Sequence, residues 1–482
     1  MTNLTDLLPA GAGGKQVSFT ASGTLSSGQT VALQSDGTVT AIATSGASVG
    51  SGTVFESADS SYVSATFDSN SNKVVISYQD SGNSNYGTAV VGTVSGTSIT
   101  FGTPVVFESA NAYDQSITFD SNANKVVICY VDAGNSSRGT AIVGTVSGTS
   151  ISFGTASTFN TGVTTQTTAT FDSNANKIVV AYRDNGNSSY GTAAVGTVSG
   201  TSISFGSETV FQSATTTELS ATFDTNSNKV VITYKNGGNS NYGTAIVGTV
   251  SGTSISFGTA VAFESATTTY TSATFDSSSN KIVIAYRDGG NSGNGTAIVG
   301  TVSGTSISFG SAVVFQSSDT EYISATFDSS NNKVSISYKD NGNTKGKAIV
   351  GTVSGTSISF GTAVEYESSS SPQWISSAFD SNAGSVAIAY KDTGNSNYGT
   401  AVVLQTVTKN VADFIGIADA AISDTASGNI TIKGGIAANG LSSLTPGSTY
   451  YVQDDGTLST TSSSVTAGKA LSATSINLDY SS

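Results

Sequence analysis

Seven positions carry side chains suited to ligand binding and recur every 52 residues, yet the residue changes from one copy to the next. Each lies five residues before a Phe-Asp dipeptide, which itself occurs seven times between Phe67 and Phe379. Aromatic rings with polar groups suit recognition of sugars or proteins, because one side chain offers both an apolar surface and a hydrogen-bonding group. The seven residues are Tyr62, Asp114, Gln166, Glu218, Tyr270, Tyr322 and Trp374.

Neighbouring residues add to this pattern. Trp374 is the only Trp in the chain and stands near Pro372 in a segment one residue longer than its counterparts. We therefore predict a recognition surface at these positions, with tolerated variation on exposed loops as the alternative. Its predicted residues are Tyr62, Tyr113, Asp114, Tyr270, Glu321, Tyr322 and Trp374.

A row of cations occupies a second recurring position in five consecutive repeats of an otherwise acidic chain. One interpretation is a surface for an anionic ligand. The alternative is pairing with the Asp that follows the cation in all but one of the repeats, and such surface pairs contribute only ~0–1 kcal/mol. The cations are Arg183, Lys235, Arg287, Lys339 and Lys391. The Asp residues at the following position are Asp80, Asp132, Asp184, Asp288, Asp340 and Asp392, with Asn236 in the remaining repeat.

Composition argues against several kinds of chemistry. The chain has no His and a net charge of −14, which disfavours His-based catalysis and nucleic-acid binding. Its one Cys, Cys129, has small residues at the equivalent positions of the other repeats, so we interpret it as a core residue. Each Asp-x-Gly-Asn loop offers one carboxylate, too few for calcium. The sequence therefore predicts no catalytic residue, metal or cofactor.

The repeat itself predicts an all-β fold, a seven-bladed β-propeller with four strands per blade. In the first repeat the predicted strands are 62–67, 74–78, 88–94 and 99–107, and a connector, 108–110, leads to the next blade. On one face of the predicted propeller lie the connections from blade to blade and from second to third strand, and their sequences vary among the repeats. On the other face lie the remaining turns, whose sequences are nearly uniform. The variable positions should therefore surround one mouth of the central channel.

The two ends of the repeat region are complementary. The last repeat lacks its fourth strand, and an unmatched strand at 49–55 precedes the first repeat. Pairing the two would leave no open edge in the last blade, and open edges promote aggregation. We predict that the N-terminal strand closes the ring.

The flanks, residues 1–45 and 408–482, share a pattern of their own. Segments 25–39 and 444–458 align, and each predicts a hairpin with an Asp-Gly turn. Further strands are predicted at 414–418, 429–432 and 467–473. We therefore predict a small split β-domain into which the propeller, residues 46–407, is inserted.

Several stretches of the flanks are distinctive: Gly23-Thr-Leu, Ser35-Asp-Gly-Thr, Phe414-Ile-Gly-Ile-Ala, 444–458 and the opening 4–15. In these stretches the flanks resemble a β-domain of tailed-bacteriophage virion proteins, of the head-decoration or fibre type found in marine phages, and the opening resembles the start of such proteins. The resemblance implies a virion surface protein, made in the host cytoplasm and present in many copies, that contacts other virion proteins through its terminal domain.

Three functions follow as alternatives. In the first, the anchored propeller binds a host-surface glycan or protein, with a cell-surface polysaccharide as the expected partner. In the second, the protein is a capsid decoration or stabiliser without a ligand. In the third, it is a free propeller lectin or glycoside hydrolase. No apolar run approaches the ~20 residues of a membrane helix, so membrane insertion is not expected.

Overall fold

The computed structural model describes residues 15–368, 371–409 and 411–479, and within them the chain is built from β-strands and a few short 3-10 turns. Two compact units are present. One spans Ala47–Thr406, and the other combines the chain up to Gly46 with the chain from Val407 onward.

Each repeat of the larger unit contributes four kinds of strand. A long strand opens the repeat, and the last of them is interrupted between Glu367 and Gln373. The long strands are Thr53–Asp68, Val105–Asp120, Ser157–Asp172, Thr209–Asp224, Val261–Asp276, Val313–Asp328, and Val364–Glu367 with Gln373–Asp380. The second strands are Lys73–Asp80, Lys125–Asp132, Lys177–Asp184, Lys229–Asn236, Lys281–Asp288, Lys333–Asp340 and Ser385–Asp392.

A third strand and a short strand complete the repeat. The third strands are Tyr86–Ser95, Arg138–Ser147, Tyr190–Ser199, Tyr242–Ser251, Asn294–Ser303, Lys345–Ser354 and Tyr398–Gln405. The short strands are Ser98–Phe101, Ser150–Phe153, Ser202–Phe205, Ser254–Phe257, Ser306–Phe309 and Ser357–Phe360. Strand Ser48–Val49 takes the corresponding place beside the last third strand.

The long strands carry the chain from one blade to the next. The first half of Val105–Asp120 pairs with the third strand of the preceding repeat, and its second half pairs with Lys125–Asp132. The connector predicted at 108–110 is therefore wrong as a loop, because Glu108 still pairs with Gly87 and Asn111 with Tyr86. Register shifts, not a turn, redirect the strand here.

Closure of the ring follows the predicted strand exchange. Val49 pairs with Leu404, and Thr53 pairs with Ala401, so the N-terminal segment supplies the strand that the last repeat lacks. A Cβ at Gly50 would overlap the carbonyl oxygen of Thr97 in the first blade, so the closing segment packs on both of its neighbours.

A belt of hydrogen bonds runs around the inside of the propeller. In every repeat a hydroxyl on the long strand accepts a hydrogen bond from a backbone N–H of the following repeat, at 2.9 to 3.2 Å. The bond from the N–H of Ala65 to Oγ of Ser376 joins the first repeat to the last. The accepting residues are Ser64, Ser116, Thr168, Ser220, Ser272, Ser324 and Ser376. The belt therefore has no end.

The second strands form the core of each blade and are buried on both faces. Each carries a buried Tyr, and the hydroxyl of Tyr78, for example, donates to Glu56 at 3.0 Å. Cys129 is fully buried in the same layer, beside Val127 and Ala141, and burial raises the pKa of its thiol. These contacts agree with its interpretation as a core residue.

The smaller unit contains a five-stranded sheet built from both ends of the chain. A bridge between Ala21 and Val39 links the two edges of this sheet, which encloses a core that includes Leu25, Val31 and Ile430. Its strands, in order across the sheet, are Gln16–Thr20, Ser427–Ile432, Phe414–Ala418, Thr30–Leu33 and Val39–Ala41.

A second five-stranded sheet of the smaller unit is built from the C-terminal flank alone. A separate pair of short strands, Thr44–Ser45 and Thr408–Lys409, joins the two flanks. The strands of the second sheet, in order, are Ile436–Ala437, Ser475–Leu478, Thr466–Ser472, Thr449–Val452 and Leu458–Ser459.

Both predicted Asp-Gly hairpins are present. The N–H of Gln34 donates to the carbonyl of Thr38 at 2.9 Å, and the N–H of Gln453 donates to the carbonyl of Thr457 at 2.8 Å. In each turn an Asp carboxylate also accepts the N–H of the Thr. Of the stretches that resemble phage proteins, 4–14 lies outside the described residues.

Candidate functional site

The seven variable residues identified from the sequence line one cavity of about 460 Å³ in the propeller. They are called the ring residues below. Apolar and hydroxyl side chains that follow them, such as Val63 and Thr167, complete the lining. The repeat thus brings one ring residue from each blade to a common mouth.

A β-bulge positions each ring residue. In the second repeat Tyr113 pairs with Val131 and Ser116 with Cys129, so the strand shifts register across Asp114. The ring residues all have positive φ, between 47° and 57°. This left-handed conformation costs a residue with a side chain about 1–2 kcal/mol. The bulge turns the ring side chain out of the strand's regular alternation.

The residue types at the ring contrast with those at another left-handed position of the same repeats. The turn after each Phe-Asp uses Asn in six repeats and Gly384 in the seventh, and these residues adopt positive φ at least cost. The equivalent turn residues are Asn72, Asn124, Asn176, Asn228, Asn280 and Asn332. Apart from Asp114, none of the ring residues is Gly, Asn or Asp, so backbone geometry does not explain the identities of the other six.

Four ring residues on consecutive blades form an aromatic arc: Tyr270, Tyr322, Trp374 and Tyr62. Ring centroids lie 5.2 Å apart for Tyr270 and Tyr322, 5.7 Å for Tyr322 and Trp374, and 4.3 Å for Trp374 and Tyr62. Tyr113 extends the arc, with its centroid 6.0 Å from that of Tyr62. Burial raises the pKa of Tyr62, Tyr270 and Tyr322, so their hydroxyls stay protonated.

The other three ring residues form a polar arc: Asp114, Gln166 and Glu218. Each accepts, at 2.7 Å, the backbone N–H of the next ring residue, so Asp114 bonds to Gln166, Gln166 to Glu218 and Glu218 to Tyr270. These bonds hold the side chains along the rim. Burial raises the pKa of the Asp114 carboxyl, and the hydrogen bond from the N–H of Gln166 offsets this only in part.

The five cations lie one strand outward from the ring. Each stands directly opposite the residue that precedes a ring residue, as Lys339 stands opposite Glu321. Nζ of Lys339 lies 5.9 Å from the ring centroid of Tyr322, so a side chain at this position reaches the ring residue of its own blade. The cations and the ring therefore share one side of the propeller.

Three of the cations are neutralised, but by carboxylates that we did not predict. Arg287 pairs with Asp319 at 2.6 Å and Lys339 with Glu321 at 3.0 Å. Lys391 pairs with Asp59 at 2.6 Å. Asp319 and Asp59 belong to the long strand that enters the next blade, and Glu321 lies opposite its cation.

The predicted pairing with the Asp that follows each cation is therefore wrong. That Asp instead holds the loop between the second and third strands: Asp80 accepts the N–H of Asn83, and Asp184 accepts the N–H of Asn187, both at 3.2 Å. Asn236 takes the same role through the N–H of Gly238. Asp340 does bind a cation, but it is Lys347, at 2.7 Å.

The uniform side of the propeller serves the fold. The Asp of each Phe-Asp dipeptide accepts backbone N–H groups of its own turn, as Asp68 accepts those of Asn70 and Ser71 at 2.9 and 3.0 Å. Within the described residues no group of three or more acidic or Cys side chains is placed to hold a metal ion. Over the same residues no helix is long and apolar enough to cross a membrane.

Comparison with solved structures finds similar chains at low sequence identity. A lectin of Burkholderia pseudomallei, BP39L, is 9% identical with a TM-score of 0.55, covering 74% of this chain and 98% of its own. The β-propeller domain of Cps50 (Swd1) from Myceliophteria thermophila is 8% identical with a TM-score of 0.47, covering 74% and 100%. No protein-family model and no curated sequence matches the chain. The protein is an all-β propeller; at such identities the likeness concerns the fold alone.

Proposed function

We propose that this protein is a carbohydrate-binding propeller whose site is the mouth enclosed by the ring residues. The observation that carries the proposal is the choice of four large aromatic residues where the backbone favours Gly, Asn or Asp. Backbone strain retained at one site, with side chains sorted into an aromatic arc and a polar arc, is typical of a functional surface.

The two arcs suit the two kinds of surface on a sugar. Apolar C–H groups of a pyranose ring pack on aromatic faces, which the aromatic arc supplies. Hydroxyl groups need acceptors and donors fixed in place. Asp114 Oδ1, Gln166 Nε2 and Glu218 Oε1 form no hydrogen bond with any described residue, while the other oxygen of each side chain is held by the rim.

The fold supports this proposal, since BP39L, with the same fold, is called a lectin. The two carboxylates of the ring, Asp114 and Glu218, each have one oxygen bound to a backbone N–H of the rim, so we interpret them as groups that orient a ligand and not as a catalytic pair. A glycoside hydrolase, the enzyme alternative, needs two carboxylates at a defined separation across a scissile bond.

Replacing ring aromatics by the residue of another repeat tests the proposal. Trp374→Gln and Tyr270→Gln place at each position the residue that Gln166 already shows to be compatible with the bulge. The matched control is Tyr86→Asn, since Asn294 occupies the equivalent position of another repeat. A glycan array followed by calorimetry on the bound sugars measures the effect.

We expect the wild type and Tyr86→Asn to bind the same glycans. Each ring variant should bind them about twofold to tenfold more weakly, because the loss of an aromatic contact costs about 0.5–1.5 kcal/mol. Unchanged affinity in both ring variants would place the site elsewhere. A wild type that binds no glycan would favour the capsid-decoration alternative.

We also propose that the smaller unit anchors the protein to a phage particle, with other virion proteins as its partners. The support is the resemblance of the flanks, together with a sheet that both flanks build jointly. A fragment covering 47–406 should fail to join particles assembled with phage proteins, whereas the full chain should join them. Incorporation of the fragment would contradict the anchoring role.

A further inference from the structure

We infer that the ligand of the ring carries an anionic group, a carboxylate or a sulfate on the sugar, and that Arg183 and Lys235 bind it. This inference rests on the proposed function and names the class of glycan. It starts from a difference among the five cations, which the sequence presents as equivalent.

The difference lies in the residues around each cation. Asp319 and Asp59 neutralise Arg287 and Lys391 from equivalent positions of the next blade. The same position holds Thr215 after Arg183 and Thr267 after Lys235. Directly opposite these two cations the strand holds Thr165 and Thr217, where Lys339 has Glu321. Neither Arg183 nor Lys235 therefore has a carboxylate at either position.

The hydrogen bonds of the two side chains are correspondingly incomplete. Arg183 donates from Nη2 to Oγ of Ser189 at 3.1 Å, but its Nε is buried and has no partner. Lys235 forms no hydrogen bond or ion pair with a residue that the structure describes. Both side chains are partly exposed, so an anionic group from outside can bind the donors that no described residue occupies.

The position of the two cations completes the argument. They belong to the third and fourth blades, outside Gln166 and Glu218 in the polar arc. Trp374 belongs to the seventh blade, so the third and fourth blades are each three blades away from it around the ring and lie opposite it. A sugar packed on the aromatic arc around Trp374 therefore extends across the mouth toward Arg183 and Lys235. Guanidinium and ammonium groups bind carboxylates and sulfates through charge-assisted hydrogen bonds.

The test compares acidic sugars with neutral forms of the same sugars. Trigalacturonic acid is measured against its methyl ester, and a sulfated galactose oligosaccharide against its desulfated form, so that the two pairs distinguish carboxylate from sulfate. The double variant Arg183→Gln/Lys235→Gln removes the cations, and Gln79 occupies the equivalent position in the first repeat.

The control removes the same charge from the same strands. Lys177 and Lys229 are the first residues of the two second strands in which Arg183 and Lys235 are the last residue but one. In the last repeat the position equivalent to Lys177 and Lys229 is Ser385. The variant Lys177→Ser/Lys229→Ser thus lowers net charge equally at the other end of the blades. Any general effect of net charge on acidic ligands should appear in both double variants.

We expect the wild type and the control to bind at least one acidic sugar about tenfold or more tightly than its neutral form, and the Arg183→Gln/Lys235→Gln variant to lose that preference while keeping its affinity for the neutral form. Equal binding of acidic and neutral forms by the wild type, binding of uncharged array glycans only, or a preference that survives in this variant overturns the inference and leaves the proposed function intact. Absence of all glycan binding overturns both.

Discussion

Trp374 and Tyr62 come from the last and the first repeat, yet their rings pack with centroids only 4.3 Å apart, the shortest separation in the aromatic arc. The contact exists because the closing strand brings the two ends of the repeat region together. Closure of the ring and completion of the candidate site are therefore one structural event. A change that opens the ring should also divide the aromatic arc.

The left-handed conformation of Trp374 predicts an unusual order of stabilities. Trp374→Gly and Trp374→Ala both remove the indole. The Ala variant still has a Cβ and keeps the free-energy cost of a positive φ, whereas the Gly variant does not. We expect the Gly variant to be more stable than the Ala variant by about 0.5–1 kcal/mol in urea unfolding. At Gln373, in the same strand, the order should reverse, because Gly is there the less favourable residue. Equal stability of the two Trp374 variants would contradict the strain.

Ring closure can be tested with one methyl group. Gly50→Ala should lower the free energy of unfolding by about 1–3 kcal/mol, because the new Cβ overlaps the backbone of Thr97. Gly361 is the equivalent glycine of the last short strand, and a Cβ there meets nothing closer than 3.8 Å. Gly361→Ala should therefore change stability by less than about 0.5 kcal/mol. Similar melting of both variants would argue against packing of the closing segment on the first blade.

Cys129 predicts a protected thiol. Its complete burial and raised pKa suppress both access and thiolate formation. In the folded protein we expect reaction with a thiol reagent at least about a thousandfold slower than in urea. The control is Cys129→Ala/Ser69→Cys, which moves the thiol to an exposed turn and should react at once. Rapid labelling of the native wild type would show that its blade opens locally.

Asp114 predicts a pH dependence with a definite sign. The pKa of its carboxyl in the folded state lies above the usual 3.8, so the protonated carboxyl favours the folded protein. This contribution to stability is fully present below pH 3.8 and is lost as the pH rises through the folded-state pKa. Asp114→Asn should therefore gain stability relative to wild type between pH 4 and 7. Asp319 provides the opposite case. Burial is the largest single influence and acts to raise its pKa, but the hydrogen bonds from Arg287 and Asn341, together with the charge of Arg287, outweigh burial and lower the pKa.

Asp319→Asn should accordingly lose stability relative to wild type as pH rises from about 3 to 7, because the ion pair with Arg287 forms on ionisation. Urea midpoints measured across this range for both variants check the two signs together. Parallel pH profiles for the two variants would contradict the difference in their surroundings.

The propeller architecture could be predicted from the sequence because the strand and turn residues of one blade recur every 52 residues. The unmatched strand at 49–55 was sufficient to predict closure, since Val49 and Thr53 pair as expected. The connector at 108–110 was not predictable as strand. Its polar residues resemble a loop, and only the pairing of Glu108 and Asn111 with the preceding blade keeps it extended.

The candidate site was predictable in position but not in geometry. The period brings Trp374 and Tyr62 to one mouth, whereas nothing in their residue types signals positive φ. The ion pairs were also missed, because contacts such as that of Lys391 with Asp59 join different blades. Comparing each repeat with the next one around the ring would have shown that Thr215 follows Arg183 at the position where Asp319 follows Arg287.

The hydroxyl belt has a consequence for how the propeller opens. Linear repeat arrays fray from their terminal units, which have a neighbour on one side only. Here the bond from Ala65 to Ser376 gives the first and last repeats the same two neighbours as every other repeat. The seven belt amides should therefore exchange their hydrogens with solvent at one common rate, set by opening of the whole ring.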